Sequence, residues 1–266
     1  MTSATPPAVE RDEPAMGETS MLLTRGLVKE FNGFRAVDDV DLDVTAGTVH
    51  ALVGPNGAGK TTLFNLLTGF LKPSAGTITI DGHDVTGMRP ERIAQRGVAR
   101  SFQITSLFEE LTLVQHVELA LLGRDGQGYR FWRSDKGLRR YRAETEALLE
   151  QVGLADRATV AAGSLAYGQK RALELALALA LSPRLLLLDE PTAGMGVEDV
   201  ARTIELIHRV REGRTVVLVE HNMKVVGDLT DRVTVLQFGK ILAEGSYEQV
   251  RGDPRVITAY LGESVA

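Results

Sequence analysis

The sequence predicts an α/β fold built on a parallel sheet, and three observations carry that prediction. Helix and strand patterns alternate through the second half of the chain, a stretch in the middle is helical throughout, and a glycine-rich loop joins an apolar strand to a helix. The expected architecture is a parallel-sheet core with an antiparallel β subdomain and an inserted helical subdomain.

Residues 1–20 hold Pro6, Pro7 and Pro14 among small and charged side chains, with no apolar run of the kind a secretory signal needs, so they read as a disordered tail. The folded domain is then 21–266. Met21 to Phe31 and Val37 to Val44 read as strands separated by the turn formers Asn32 and Gly33, and Thr48 to Val53 as a third strand. A helix is expected over Lys60 to Phe70, a strand over Thr77 to Ile80 closed by Asp81-Gly82, and another strand over Val98 to Phe102. From Leu107 to about Gly163 the strand signal vanishes and Leu138, Tyr141, Thr145, Leu148, Leu149 and Val152 recur at helical spacing. This helical subdomain is placed at about 104–170. Helix Gly168 to Leu181, strand Arg184 to Leu188, helix Val197 to Arg211, strand Thr215 to Val219 and helix Asn222 to Leu229 then alternate as parallel βαβ units do. Val233 to Gln237 and Lys240 to Ala243 form a hairpin across Phe238-Gly239, and Tyr247 to Leu261 closes the chain as helices.

The chain of 266 residues is 44% hydrophobic, enough for a sizeable core. A net charge of −5 and a pI near 5.6 argue against a surface built for nucleic acid, which shows as a basic excess. The absence of cysteine excludes disulfides, thiolate catalysis and zinc–cysteine sites and suits the cytoplasm. The longest apolar tract, Leu175 to Leu181 and then Leu185 to Leu188, is broken by Pro183 and Arg184 and falls short of the roughly 18 residues that span a bilayer.

Gly54-Pro55-Asn56-Gly57-Ala58-Gly59-Lys60-Thr61 matches the P-loop pattern and lies between a strand and a helix, where the chemistry requires it. Glycines let the backbone curl so that successive N–H groups point at phosphate oxygens, and the following helix adds its positive end. Lys60 is assigned to the β- and γ-phosphates, the Thr61 hydroxyl to Mg²⁺, and Thr62 to a weaker phosphate contact. Arg184 to Leu188 is an apolar strand that ends in Asp189 and Glu190 at the sheet edge where doubly wound proteins bind ligands. Asp189 is placed to hold Mg²⁺ and Glu190 to orient and deprotonate the attacking water. His221 follows the strand Thr215 to Val219 at the same edge and can approach a γ-phosphate. Kinases, GTPases and ATPases share the P-loop, and the lack of an Asn-Lys-x-Asp segment speaks against a GTPase.

With these motifs in this order the chain resembles the ABC transporter ATPase family over nearly all of 21–263. The resemblance implies that Phe31 stacks on adenine, with Phe34 as the alternative, and that Gln103 touches Mg²⁺ and the attacking water. Leu165-Ala166-Tyr167-Gly168-Gln169 stands where the family has Leu-Ser-Gly-Gly-Gln, so Ala166, Tyr167, Gly168 and Gln169 are expected to bind the γ-phosphate of ATP held by a second subunit, of the same or a different sequence. Ala166 lacks the usual serine hydroxyl, leaving backbone donors and Ser164, and Gly196 replaces an aspartate in Ala193-Gly194-Met195-Gly196. These departures, with Ala99-Arg100-Ser101-Phe102-Gln103, Glu220-His221-Asn222-Met223 and the segment Asp253 to Glu263, are similar to the ATPases of Liv-type branched-chain amino acid importers. Urea and amide importers belong to the same relatives. The resemblance implies permease partners in the membrane, an external solute-binding protein, and peripheral attachment at the cytoplasmic face. A soluble ABC protein of DNA repair or translation would carry a coiled coil or a second ATPase unit, and a small-molecule kinase would need neither Gln103 nor the segment Leu165 to Gln169.

Between Gly123 and Arg142 lie Arg124, Arg130, Arg133, Lys136, Arg139, Arg140 and Arg142 with Tyr129, Phe131, Trp132 and Tyr141. A solvated helical face, a membrane-proximal contact and a nucleic-acid surface stay open for this stretch. Leu107, Phe108, Leu111 and Leu113 are candidates for the groove that receives a permease helix in the family, or for ordinary packing within the insert.

Overall fold

The computed structural model describes residues 19–101, 107–126 and 141–261. Gln103, most of the N-terminal tail and the greater part of the basic, aromatic stretch lie outside the described residues.

Two sheets organise the described chain. The antiparallel sheet takes β1 (Ser20–Phe31), β2 (Phe34–Val40), β3 (Asp43–Thr45), β5 (Ala75–Ile80) and β6 (His83–Asp84), in the order β2-β1-β5-β6 with β3 also on β1. The stretch expected as one strand from Val37 to Val44 is thus split: Asp39 takes φ +56° and the chain turns at Asp41 and Leu42 before pairing again. The second sheet runs β11 (Lys240–Gly245), β10 (Arg232–Gln237), β4 (Val49–Val53), β9 (Thr215–Val219), β8 (Leu185–Asp189), β7 (Val98–Ser101), parallel except for the β10–β11 hairpin.

Its central strands are apolar because both faces are covered. Leu186, Leu188, Val216 and Leu218 join a core with the helices of the insert, while Leu185, Leu187, Val217 and Val219 face Leu63, Phe64 and Leu67 of α1 (Lys60–Leu67) and the antiparallel sheet. Period-two alternation sorts each strand's side chains between two cores. Helix α1 stops at Leu67, short of the expected Phe70: Thr68 caps it and turns its hydroxyl back to Phe64 O at 2.8 Å, and Gly69 has φ +75°.

After α2 (Pro90–Ala94) and β7, the insert contributes α3 (Leu113–Arg124) and α4 (Arg142–Gln151). Thr112 and Gln115 form a reciprocal capping box at the start of α3. Leu113 is fully buried against Val117 and Leu121, so it belongs to the insert's core and not to a docking groove. Leu107 packs partly on the same core, whereas Phe108 is 66% exposed. Tyr141 is also core, its hydroxyl donating to Asp125 at 2.7 Å, and Arg124 holds Glu144 at 2.5 and 3.1 Å. These two residues of the basic, aromatic stretch therefore serve packing within the insert.

Helix α5 (Tyr167–Ala180) returns the chain to the core, followed by α6 (Val197–Val210) and α7 (Met223–Leu229). The closing helical stretch is two helices, α8 (Tyr247–Gly252) and α9 (Pro254–Leu261), broken because Pro254 cannot continue α8.

Candidate nucleotide site

Strand register assembles the site. Val219 of β9 stands level with Leu52 of β4 on one side and Asp189 of β8 on the other. The chain leaves these three adjacent strands at the same edge, so Gly54 to Thr61, Glu190 and His221 emerge side by side.

The P-loop is shaped by what surrounds it. Gly59 precedes α1 with φ +102°, and a Cβ there would come within 2.4 Å of Ala36 O; at Gly54, with φ +149°, a Cβ would meet Leu236 O at 2.2 Å. Only glycine fits both the backbone and the space. The β10–β11 turn braces the same loop, Gly239 N–H donating to Ala58 O at 3.0 Å. Lys60 is buried and folds back across the loop, donating to Gly54 O at 2.6 Å and Pro55 O at 2.9 Å. Asn56, Gly57 and Thr61 are exposed and Pro55 and Thr62 partly so, which leaves the outer rim accessible.

Asp189 is buried, and Arg100 donates to its Oδ2 at 2.6 Å. The same guanidinium donates to Asn65 Oδ1 of α1 at 2.7 Å and to Oγ1 of its cap Thr68 at 3.3 Å, with its carbon 5.5 Å from the Phe64 ring centroid. Arg100 thus ties β8 to the P-loop helix. Asp189 Oδ1 is buried with no hydrogen-bond partner among the described residues, an acceptor without a donor. Among the described residues no group of three or more His, Asp or Glu converges to cage a metal. One carboxylate oxygen and a hydroxyl fit Mg²⁺, which keeps waters and takes phosphate oxygens for its remaining ligands.

Glu190 has φ +46°, a left-handed conformation that is uncommon for a long side chain, and its N–H donates to Val219 O at 3.0 Å. Its Oε1 lies 3.9 Å from His221 Nδ1, with side chains 31% and 62% exposed respectively. Between them sits a residue that the sequence reading did not assign: Glu220 is completely buried and accepts hydrogen bonds from both loops. Its place directly after the strand Thr215–Val219 and its place within the segment Glu220-His221-Asn222-Met223 were the available signals. Arg100 was quoted for its resemblance, without a role.

At the edge of the β1–β2 hairpin Phe31 is 42% exposed, with Lys29 Nζ 4.9 Å over its ring, and Phe34 pairs opposite it and is more exposed. In the signature, Ala166 precedes α5 and offers no side-chain cap; Gln169 turns back to accept from Ala166 N–H at 3.2 Å. Ser164 donates to Ala161 O at 2.8 Å within its own turn. Tyr167 points away from the helix end: its hydroxyl donates to Ala193 O at 3.2 Å and accepts from Arg171 at 3.3 Å. Gly168 lies against Asp199, whose carboxyl atoms would be 3.3 Å from an added Cβ. Gly196 starts α6 as its N-cap.

Residues 37–193 match the family described as ABC transporter, and residues 240–266 match the one described as branched-chain amino acid ATP-binding cassette transporter. The chain belongs to the ABC transporter ATPase family. It is 41% identical over 254 residues to the high-affinity branched-chain amino acid transport ATP-binding protein BraF of Pseudomonas aeruginosa, covering 92% of this chain and 98% of that one. LivG of Escherichia coli, of the same description, is 40% identical over 252 residues with the same coverage. Among solved structures, the ADP conformation of an ATP-binding cassette of an ABC transporter is 30% identical with a TM-score of 0.79, covering 92% of this chain and 99% of that one. A dimeric bacterial ABC transporter cassette is 26% identical with a TM-score of 0.70, covering 85% and 99%. This ABC ATPase therefore binds and hydrolyses ATP as the motor subunit of a transporter, on the fold expected from its sequence. No helix among its described residues is long and apolar enough to cross a membrane.

Proposed function

We propose that the chain powers import of branched-chain amino acids, clamping Mg-ATP between its own P-loop and the signature turn of a second ATPase subunit while attached to membrane-embedded permeases at the cytoplasmic face. The observation that carries the site reading is the level register of Leu52, Val219 and Asp189, which brings Glu190 within 3.9 Å of His221 beside the P-loop. The solute reading rests on the similarity to BraF and LivG and on the match of residues 240–266.

In this reading Gly54 to Gly59 wrap the phosphates with backbone N–H groups, and Lys60 exchanges its loop carbonyls for the β- and γ-phosphates. Thr61 and Asp189, with Gln103, hold Mg²⁺, which when bound offsets the phosphate charge. Glu190 takes a proton from the attacking water and His221 donates to the γ-phosphate. Phe31 stacks on the adenine, its ring already facing a cation on one side. The first N–H groups of α5, at Tyr167, Gly168 and Gln169, serve the partner's nucleotide. Residues 21–266 act as one ATPase domain with the helical subdomain inserted at about 104–170, and an external binding protein delivers the solute.

The test is Glu190→Gln in the full-length chain. ATP binding persists and hydrolysis falls at least about 100-fold, the scale of a lost general base; unchanged turnover removes Glu190 from that role. In cells, uptake of labelled leucine, isoleucine and valine disappears with the same substitution. Uptake of these amino acids that stays intact, while urea or amide uptake is lost, overturns the choice of solute.

A further inference from the structure

We propose that Glu220 is a positioning residue: a buried carboxylate clamp that sets Glu190 and His221 in register by bonding to both of their loops. The proposal rests on the roles of Glu190 and His221 given above and adds to them what holds the pair together.

Glu220 is 0% exposed, and both of its oxygens are used twice. Oε1 accepts from Thr192 N–H at 3.1 Å and from the Thr192 hydroxyl at 2.6 Å. Oε2 accepts from His221 N–H at 3.2 Å and Asn222 N–H at 3.4 Å. Its own N–H reaches Leu52 O at 3.4 Å, on the strand that feeds the P-loop. The side chain therefore joins the loops of Glu190 and His221, while the backbone of the same residue stays paired with the strand that leads into the P-loop.

The clamp acts where the backbone is under tension. Glu190, Pro191, Thr192 and Ala193 form a turn closed by Ala193 N–H to Glu190 O at 3.1 Å, and it opens on a left-handed glutamate. Such a conformation persists only when its surroundings over-determine it. The turn leaves the N–H and hydroxyl of Thr192 pointing inward, and Glu220 takes both. A neutral residue of the same shape cannot replace it: a glutamine presents one carbonyl oxygen and one NH₂ group, so one pair of donors would face another donor. Small displacements of a base relative to its reacting atoms cost large factors in rate.

Four variants of the full-length chain, Glu220→Gln, Thr192→Val, Thr192→Ser and the double variant Glu220→Gln with Thr192→Val, test this against the unaltered chain and Glu190→Gln. Glu220→Gln should lower kcat about 10-fold or more while KM and the Kd for ATP stay within about threefold. Thr192→Val should lower kcat in the same way by a smaller factor, Thr192→Ser should restore it because the hydroxyl is kept, and the double variant should lose less than the product of the two single effects. A residue that merely stabilises the fold would lower the melting temperature and the active fraction with kcat per bound nucleotide unchanged. Unchanged kcat in Glu220→Gln or Thr192→Val, or multiplicative losses in the double variant, overturns the clamp. If Glu220→Gln does not fold, the contrast between Thr192→Val and Thr192→Ser decides the question alone. Full hydrolysis by Glu190→Gln would show instead that the assignment of the base has failed, which separates the two ideas.

Discussion

Single residues show how the fold places charge and at what cost. His50, the second residue of β4, is completely buried with Nε2 2.7 Å from Thr234 Oγ1, and burial, with a lesser push from Arg232, lowers its pKa to about 3. The unfolded chain takes up a proton near pH 6.5 that the folded chain refuses until about pH 3, so this residue makes stability fall as the pH drops through that window. Between pH 8 and pH 5 the loss is about 2 kcal/mol. Denaturant unfolding of His50→Gln, which can keep the bond to Thr234, should show a shallower decline over that range, and a slope identical to that of the unaltered chain would rule His50 out as the cause. Sequence reasoning passed over His50 because a histidine inside a strand gives no sign of its exposure. Asp189, Glu190 and His221 were legible since each follows an apolar run at a sheet edge. Arg100 and Glu220 were not, because their importance lies in partners 89 and 28 residues away along the chain.

At the scale of the element, the P-loop is the part whose sequence and shape agree most closely. Gly54 and Gly59 are demanded twice, by positive φ and by carbonyls that approach from β10 and β2, and Gly57 once, by its φ of +75°. Gly59→Ala places a Cβ 2.4 Å from Ala36 O at φ +102°, a strain of about 1–3 kcal/mol before any clash. Its ATP affinity, measured by equilibrium titration, should fall about 10-fold or more; an unchanged Kd would mean that the loop relaxes freely. The signature helix was foreseen within a residue at each end, yet the use of Tyr167 was not. A pattern match reads Tyr167 as the replacement of a glycine, whereas in the fold its hydroxyl ties the start of α5 to Ala193, and so links two segments that face the partner subunit in the proposed dimer. Leu113 stayed open between a docking groove and packing within the insert for a related reason: helical spacing shows that an apolar face exists, and only the packing of α3 against α4 and α5 decides which leucines it covers.

Across the whole molecule, the composite site proposed above requires two copies or two kinds of cassette to meet over ATP. In the proposed dimer Gly168 lies at the helix end assigned to the partner's phosphate, and it is already close to Asp199. In a Glu190→Gln background, where hydrolysis no longer dissolves the dimer, Gly168→Asp should abolish ATP-dependent dimerisation seen by light scattering while a single chain still binds ATP within about threefold, because the added carboxylate repels both Asp199 and the incoming phosphate. Dimers that form as before would sink the composite-site reading. Fold class, the order of the elements and the position of the phosphate loop could be read along the chain, because hydrophobic period, turn residues and glycine spacing are local properties. Tertiary structure alone decided that three strand ends lie level, that Arg100 reaches Asp189 and that Glu220 joins the loops of Glu190 and His221. Those are contacts between distant parts of the chain, and they arise only when burial of the central strands from both faces brings the ends of β4, β9 and β8 to one edge.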